Sequence, residues 1–215
     1  MQAAATVVLV RDSSAGMELL LLKRPQHGAF ANYWVFPGGR IEVEDVRSDD
    51  AAEVDVARFT AERETREETG MIVRAHELKH FAVWLPPIQA PKRFHTWFFI
   101  GAAPAEDEIK LPEGEIVEHM WLTPAEAIER HRRDEIELMP PTYVTISGLQ
   151  AHKNVAEAMA FLEEETPLFE SFVITTGDRP TLVWTGDSEH PTSETTTGRH
   201  RLYMGERPWV FERVV

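Results

Sequence analysis

The sequence contains no cysteine, and acidic residues far outnumber basic ones. Without cysteine the chain cannot form a disulfide, a thiolate metal site or a cysteine nucleophile, which is compatible with the reducing cytoplasm. The 22 Lys and Arg residues against 36 Asp and Glu residues give a net charge of −14. Such an acidic surface disfavours binding to long nucleic acids, because that affinity depends on cationic contacts to phosphate.

Long apolar runs and several familiar site patterns are also missing. No run approaches the roughly 18–20 apolar residues that a membrane helix needs, so we expect no membrane partner. The apolar segment 3–10 follows no basic residues and ends at Arg11 and Asp12, which indicates a buried strand rather than a signal peptide. The nine histidines show no His-x-His or His-Glu-x-x-His spacing, so a zinc site is not indicated. We expect a cytoplasmic protein.

Hydrophobic patterning predicts a sheet through the first half of the chain and shorter strands near its end. Strands are predicted at 4–10, 17–23, 71–74, 80–85 and 94–102. Shorter strand-like pieces follow at 172–175, 181–184, 201–204 and 209–214, with a polar loop over 188–198. We therefore divide the chain into a domain, 1–165, and a C-terminal extension, 166–215, packed on it. The extension could cover a pocket or form a homodimer interface.

Three helices are predicted between these strands. The first runs from about 50 to 69, with Asp49 or Asp50 as N-cap and Gly70 just after its end. The second begins at Thr123, where a capping threonine precedes proline and glutamate. The third spans 147–165. Helices on the faces of a mixed sheet make this an α/β protein.

Three glutamates gather on one face of the first helix. Glu64, Glu67 and Glu68 stand at positions i, i+3 and i+4, so their side chains are neighbours on the helix surface. Like charges at this spacing destabilise a helix by a few tenths of a kcal/mol per pair, and a divalent cation removes that repulsion. Carboxylate oxygens suit Mg²⁺ or Mn²⁺. Alternatively, this is an ordinary glutamate-rich surface on which Arg63 pairs with Glu67.

The surrounding residues resemble the Nudix box, G-x5-E-x7-R-E-U-x-E-E-x-G-U, where U is a bulky aliphatic residue. The matching positions in this chain are Gly39, Arg63, Glu64, Glu67, Glu68, Gly70 and Met71. The chain departs from the pattern at three places. Asp45 stands where the family has glutamate, Thr65 replaces an aliphatic residue, and positions 46–62 hold ten residues more than the pattern's seven.

The resemblance implies a Nudix-type α/β/α sandwich with a mixed sheet, and a hydrolase that cleaves phosphoanhydride bonds with Mg²⁺ or Mn²⁺. In relatives the positions of Glu64, Glu67, Glu68 and the carbonyl of Gly39 hold the cation, and Arg63 orients carboxylates. The proton acceptor for the attacking water is then Glu64 or a glutamate on a later loop. Of the two candidates there, Glu115 and Glu118, we favour Glu118.

The substrate is expected to be a small nucleotide-like diphosphate. Segments around Gly28–Gly39 and Trp84–Phe99 loosely resemble the branch of the family that cleaves coenzyme A and acyl-coenzyme A, whereas ADP-ribose or another nucleoside diphosphate derivative is the alternative. Arg24, Lys92 and Arg93 could hold its phosphates, or they serve only solubility. A module that senses a nucleotide without cleaving it is the rival from another class, although such modules usually lose acidic residues of the box.

Overall fold

The structure, a computed structural model, describes residues 1–28, 30–104, 108–161 and 166–214. Its strands are β1 Gln2–Ser13, β2 Gly16–Lys23, β3 Tyr33–Val35, β4 Gly38–Arg40, β5 Lys79–Leu85, β6 Phe94–Ala102, β7 Glu118–Leu122, β8 Glu137–Leu138, β9 Leu168–Glu170, β10 Phe172–Thr176, β11 Arg179–Val183, β12 Arg199–Tyr203 and β13 Val210–Val214. Its helices are α1 Glu53–Thr69, α2 Pro124–Arg132, α3 Pro140–Leu149 and α4 Val155–Phe161, with short 3₁₀ turns at Val43–Asp45 and Ala75–Glu77.

The main sheet is mixed, as predicted, and β1 lies at its centre. Its strand order is β8-β3-β2-β1-β6-β5-β9, with β4 paired to β1 and β7 paired to β2. Strand β1 runs parallel to β6 but antiparallel to both β2 and β4. The short β4 pairs with the first half of β1, and this pairing brings the loop that follows it close to helix α1.

Helices cover both faces of this sheet. In β1 the side chains of Ala5, Val7 and Leu9 join the hydrophobic cluster under α1, whereas Val8 and Val10 join the cluster on the opposite face. The second cluster contains residues from α2, α3 and α4. Because both faces are buried, β1 and β2 read as continuous apolar runs rather than alternating ones. The α/β/α sandwich is confirmed.

The C-terminal residues form a second, antiparallel sheet in the order β10-β11-β12-β13. Strand β9, which precedes it, runs parallel to β5 at the edge of the main sheet. Trp84 of β5 stacks on Phe169 of β9 with ring centroids 4.0 Å apart, and Trp184 meets both rings edge-on. The two sheets thus share one hydrophobic cluster, on the face of the main sheet opposite α1.

Two of the predicted helix boundaries are confirmed by their caps. Gly70 follows α1 with φ of 76°, and its N–H donates to the carbonyl of Arg66, as a left-handed C-terminal residue should. Thr123 and Glu126 form a reciprocal capping box at the start of α2. Within the described part of the chain, no helix is long and apolar enough to span a membrane.

Three predictions about elements were wrong. Residues 71–74 form no strand in the described structure, although Met71 and Val73 are buried, as their alternation suggested. Neither Asp49 nor Asp50 caps α1, because a turn closed by Ser48 places the helix start at Glu53.

The helix predicted over 147–165 is two helices in the structure. Helix α3 begins earlier, at a Pro140-Pro141 pair that suits the first turn. The chain then breaks at 150–154, and Asn154 caps α4 by accepting from the backbone N–H of Glu157 at 2.8 Å. The predicted end of this helix, 162–165, lies outside the described residues.

One buried histidine lies between the domain and the C-terminal sheet. His131 is 1% exposed and packs against the rings of Tyr143 and Trp209. Neither of its ring nitrogens has a hydrogen-bond partner. Burial, together with the charge of Arg207, lowers the pKa of His131 to about 4, although Asp134 partly opposes this.

This depressed pKa makes the stability of the fold depend on pH. Below about pH 6.5 the unfolded chain takes up a proton at His131 that the folded chain refuses until about pH 4. We expect the free energy of unfolding to fall by about 3 kcal/mol as the pH is lowered through this window, and His131→Phe to remove that part of the slope. Urea unfolding at several pH values measures it. The exposed His119→Phe should keep the wild-type slope, and an unchanged slope in His131→Phe would contradict the assignment.

Candidate functional site

The last turns of α1 carry the acidic residues of the site. The side of the helix that carries Glu68 is buried against the sheet through small residues, Ala57, Ala61 and Thr65. Thr65, which stands where the resemblance expects an aliphatic side chain, donates its hydroxyl to the carbonyl of Ala61 at 2.7 Å. The buried hydroxyl is therefore satisfied within the helix. This packing fixes the rotation of α1 and turns Glu64, Glu67 and Glu68 toward β4.

Arg63 holds the site together through its forked guanidinium. Its Nε and Nη2 donate to the two carboxylate oxygens of Asp45 at 2.9 and 3.0 Å. Its Nη1 donates to Glu64 at 2.9 Å and to Glu67 at 3.0 Å. Nη2 also donates to the backbone carbonyl of Arg40 at 3.0 Å. One side chain thus ties the 3₁₀ turn, strand β4 and helix α1 to one another.

Asp45 is the main anchor of Arg63. Its carboxylate is 3% exposed and also accepts the hydroxyl of Thr60 at 2.8 Å and the backbone N–H of Glu42 at 2.9 Å. Burial alone would raise the pKa of Asp45, but these hydrogen bonds and the charge of Arg63 lower it below its usual value. The shorter carboxylate reaches Arg63 because the 3₁₀ turn brings residue 45 against α1.

Glu68 is buried, and Glu64, one turn before it, is partly buried with 15% of its side chain exposed. Glu68 is 2% exposed and accepts from the N–H of Gly38 at 2.9 Å and from Arg24 at 3.2 Å. Burial raises the pKa of Glu68 to about 7 despite these donors, and the charges of Glu64 and Glu115 add to the effect. Burial likewise raises the pKa of Glu64, with Glu67 and Glu115 contributing. The site therefore holds negative charge that its own arginines only partly neutralise.

The two glycines of β4 allow the backbone to lie close to these carboxylates. A Cβ at Gly39 would overlap the carboxylate of Glu64, and a Cβ at Gly38 would overlap the backbone of Ala5 and Thr6 in β1. The N–H of Gly38 donates to Glu68 from the same strand. We call Gly38 and Gly39 the glycine floor, because the carboxylates of Glu64 and Glu68 lie directly against them.

The donor set fits a hard divalent cation, although the side chains are not gathered as a ready ligand shell. No three acidic or histidine side chains of the described ranges are arranged as a cation site. Arg63 Nη1 lies between Glu64 and Glu67, and Glu68 is turned toward Arg24 and Gly38. The chemistry of these residues nevertheless suits such a cation. Carboxylate oxygens gather at the glycine floor, and they carry excess negative charge that is costly to bury without a cation.

The structure also places the remaining candidate residues, Glu118, Lys92 and Arg93. The carboxylate of Glu118 is 52% exposed and pairs with Lys23 at 3.3 Å. Lys92 and Arg93 line a pocket of about 480 Å³ at the start of β1 and β6. We call this the Arg40 pocket; it is lined by Met1, Gln2, Arg40, Ala90, Pro91, Lys92, Arg93 and Phe94.

Sequence reasoning missed two residues of this region. Arg40 connects the carboxylate cluster to the Arg40 pocket, since its carbonyl meets Arg63 and its side chain lines the pocket. The only sequence signal for Arg40 is its position directly after Gly39. Gly38 directly precedes Gly39 in the sequence, but its N–H contact with Glu68 depends on the pairing of β4 with β1.

The anchoring of Arg63 predicts a large difference between two adjacent acids. Asp45→Ala should lower the free energy of unfolding by about 3 kcal/mol, because it leaves Arg63, which is 13% exposed, without its bidentate partner. Glu44→Ala should change it by less than about 0.5 kcal/mol, because Glu44 is 73% exposed and 3.9 Å from Arg63. Urea unfolding measures both. Equal losses would mean that Asp45 does not anchor the site.

Comparison with known proteins gives the same fold and family. A sequence model of the NUDIX domain matches residues 1–141. The NUDIX hydrolase structure from Alicyclobacillus acidocaldarius superposes with a TM-score of 0.67 at 22% identity, covering 74% of this chain and 96% of that one. The NUDIX domain of Shewanella oneidensis NrtR, solved in complex with ADP ribose, superposes with a TM-score of 0.53 at 16% identity, covering 70% and 86%.

Two curated relatives match part of their own length. The Xenopus laevis protein named acyl-coenzyme A diphosphatase NUDT19 is 29% identical over 89 residues, which are 40% of this chain and 23% of that protein. The Caenorhabditis elegans protein named putative nudix hydrolase 7 is 23% identical over 189 residues, 71% of this chain and 62% of that protein. The matched domain contains the whole glutamate cluster, Arg63 and the glycines of β4. The chain belongs to the Nudix hydrolase family.

Proposed function

We propose that this chain hydrolyses a phosphoanhydride bond in a small nucleotide-like diphosphate, with Mg²⁺ or Mn²⁺ held by Glu64, Glu67 and Glu68. The observation that carries the proposal is that Glu68 is buried and Glu64 partly buried beside Gly38 and Gly39, where the pKa of both glutamates is raised. A structural surface helix would not bury like charges in this way. Nudix hydrolases generally use divalent metal ions, which agrees with this donor set.

In this proposal each residue of the cluster has a distinct task. Glu64, Glu67 and Glu68, with the carbonyl of Gly39, hold the cation. When bound, it neutralises diphosphate oxygens and lowers the pKa of a water molecule. Arg63 keeps Glu64 and Glu67 in place, and Asp45 keeps Arg63 in place. Arg24 positions Glu68 by its contact at 3.2 Å, and from there it can also reach a phosphate oxygen.

The water that attacks the diphosphate must lose a proton to a carboxylate. We assign this to Glu115 rather than to Glu118, the residue favoured by the sequence. Glu115 lies near enough to the cluster that its charge raises the pKa of both Glu64 and Glu68. Glu118 is instead engaged by Lys23 on the neighbouring strand.

This assignment separates two glutamates that lie three positions apart. We expect Glu115→Gln to lower kcat by about 100-fold, in the range that a lost proton acceptor costs, whereas Glu118→Gln stays within about twofold of wild type. Steady-state kinetics with saturating Mg²⁺ measures both. A large loss in Glu118→Gln beside a small one in Glu115→Gln would return the role to Glu118.

For the substrate we propose coenzyme A or an acyl-coenzyme A, with ADP-ribose or another nucleoside diphosphate derivative as the alternative. Support comes from the similarity to the Xenopus laevis relative that is named an acyl-coenzyme A diphosphatase. The alternative is favoured by the fold shared with the Shewanella oneidensis domain that was solved with ADP ribose. Both compounds contain a diphosphate between two larger groups. The carboxylate cluster, with its cation, would bind this diphosphate.

The proposed activity is tested by incubating the protein with coenzyme A, ADP-ribose and a dinucleoside polyphosphate, each with Mg²⁺ and with Mn²⁺. Coenzyme A should yield adenosine 3′,5′-bisphosphate and phosphopantetheine. Glu67→Gln should lower turnover by about 100-fold or more, because one carboxylate of the cation site is lost, while the protein still folds.

The matched control for this test is Glu53→Gln, an exposed glutamate in the first turn of the same helix, which should keep wild-type turnover. Brisk cleavage of ADP-ribose without cleavage of coenzyme A would select the alternative substrate. Tight binding of a compound without turnover of any would favour a sensing module. Full turnover in Glu67→Gln would remove the catalytic role from α1.

A further inference from the structure

The Arg40 pocket differs in charge from the rest of this acidic chain. Arg40, Lys92 and Arg93 line it, and no acidic residue is found among its lining residues as the structure describes them. The other notable cavity is lined by Arg132 and Arg207 together with three acids, and Arg207 is paired there with Asp134 and Glu137. In a chain of net charge −14, three cations without an acid in one pocket form a local anion-binding surface.

The cations of the pocket are held beside an aromatic wall. Arg93 donates through Nε and Nη2 to the carbonyl of Pro86, both at 3.3 Å, which fixes its side chain at the pocket. The guanidinium of Arg40 lies 5.8 Å from the centre of the Phe94 ring, and the Phe30 ring lies 6.4 Å from that of Phe94. Aromatic faces next to arginines suit a planar base that carries phosphate.

One residue, Arg40, contributes both to the pocket and to the contacts of the carboxylate cluster. Arg40 follows Gly39, whose missing Cβ makes room for Glu64, and the carbonyl of Arg40 accepts from Arg63 at 3.0 Å. Arg40 therefore belongs both to the strand that contacts the cluster and to the lining of the pocket. A ligand that extends past Arg40 would place its diphosphate at the cluster and another anionic group in the pocket.

We propose that the Arg40 pocket binds a phosphomonoester that the substrate carries outside its scissile diphosphate, and that Arg40 and Lys92 select for substrates with this group. The proposal rests on the proposed function for the position of the diphosphate. A phosphomonoester has between one and two negative charges at neutral pH and three acceptor oxygens, which match the cations of the pocket. A substrate without it leaves these cations unpaired and gains no compensating contact.

The test compares two substrates that differ only in this group, coenzyme A and dephospho-coenzyme A. The wild type should prefer coenzyme A, measured as the ratio of the two kcat/KM values. Arg40→Ala and Lys92→Ala should each lower that ratio about tenfold, mainly through the KM for coenzyme A, because each removes a charge-assisted contact to phosphate. The control Lys153→Ala, an exposed lysine elsewhere, should keep the ratio. An unchanged ratio in both pocket variants would overturn the proposal.

A binding measurement separates the pocket from the catalytic proposal. Calorimetric titration with adenosine 3′,5′-bisphosphate and with 5′-AMP, in EDTA to exclude divalent cations, requires no turnover. The wild type should bind the bisphosphate about tenfold more tightly, and Lys92→Ala should lose that preference. If this preference is found but no diphosphate is cleaved, the proposed function fails and the pocket assignment stands. Equal binding of the two compounds by the wild type would overturn the pocket assignment.

Discussion

The fork of hydrogen bonds made by Arg63 is the interaction on which the site depends. Two nitrogens of the guanidinium donate to Asp45, and the third donates to both Glu64 and Glu67. One of the nitrogens that bind Asp45 also donates to the carbonyl of Arg40. Three parts of the chain, the 3₁₀ turn, β4 and α1, are thus placed by one planar group with fixed donor directions. A lysine there would offer one point of charge and could not satisfy this set at once.

The electrostatics of the site follow from what surrounds this fork. Arg63 is engaged mostly by Asp45, so it neutralises Glu64 and Glu67 only in part, and Arg24 is the one cation that contacts Glu68 among the described residues. Glu68 consequently has a pKa raised to about 7 by burial. The Arg40 pocket, by contrast, is lined by three cations and by no acid among the described residues. The C-terminal sheet packs on the opposite face of the main sheet.

Patterns that repeat along one element could be predicted from the sequence. The apolar runs of β1 and β2, the caps at Gly70 and Thr123, and the spacing of the three glutamates each depend on local geometry alone. The extra residues between Asp45 and Arg63 also behaved as expected, since they lengthen the loop and the first turns of α1. Buried Thr65 was compatible with the helix because its hydroxyl bonds within it.

Features that depend on pairing between distant segments could not be predicted. The three-residue β3 and β4 are too short to show periodicity, yet β4 brings Gly38 to Glu68 and Arg40 to Arg63. The segment at Met71 alternates like a strand but is not a strand in the structure. The position of Glu118 follows from the pairing of β7 with β2, which places it beside Lys23 and leaves Glu115 as the loop glutamate that acts on the cluster.

The central claim is that the carboxylates of α1 hold a divalent cation, and titration with Mn²⁺ followed by electron paramagnetic resonance tests it most directly. The wild type should take up Mn²⁺, and Glu64→Gln and Glu68→Gln should each weaken that uptake about tenfold or more. An affinity that is the same in wild type and in both variants, or no uptake even with a nucleoside diphosphate present, would contradict the claim.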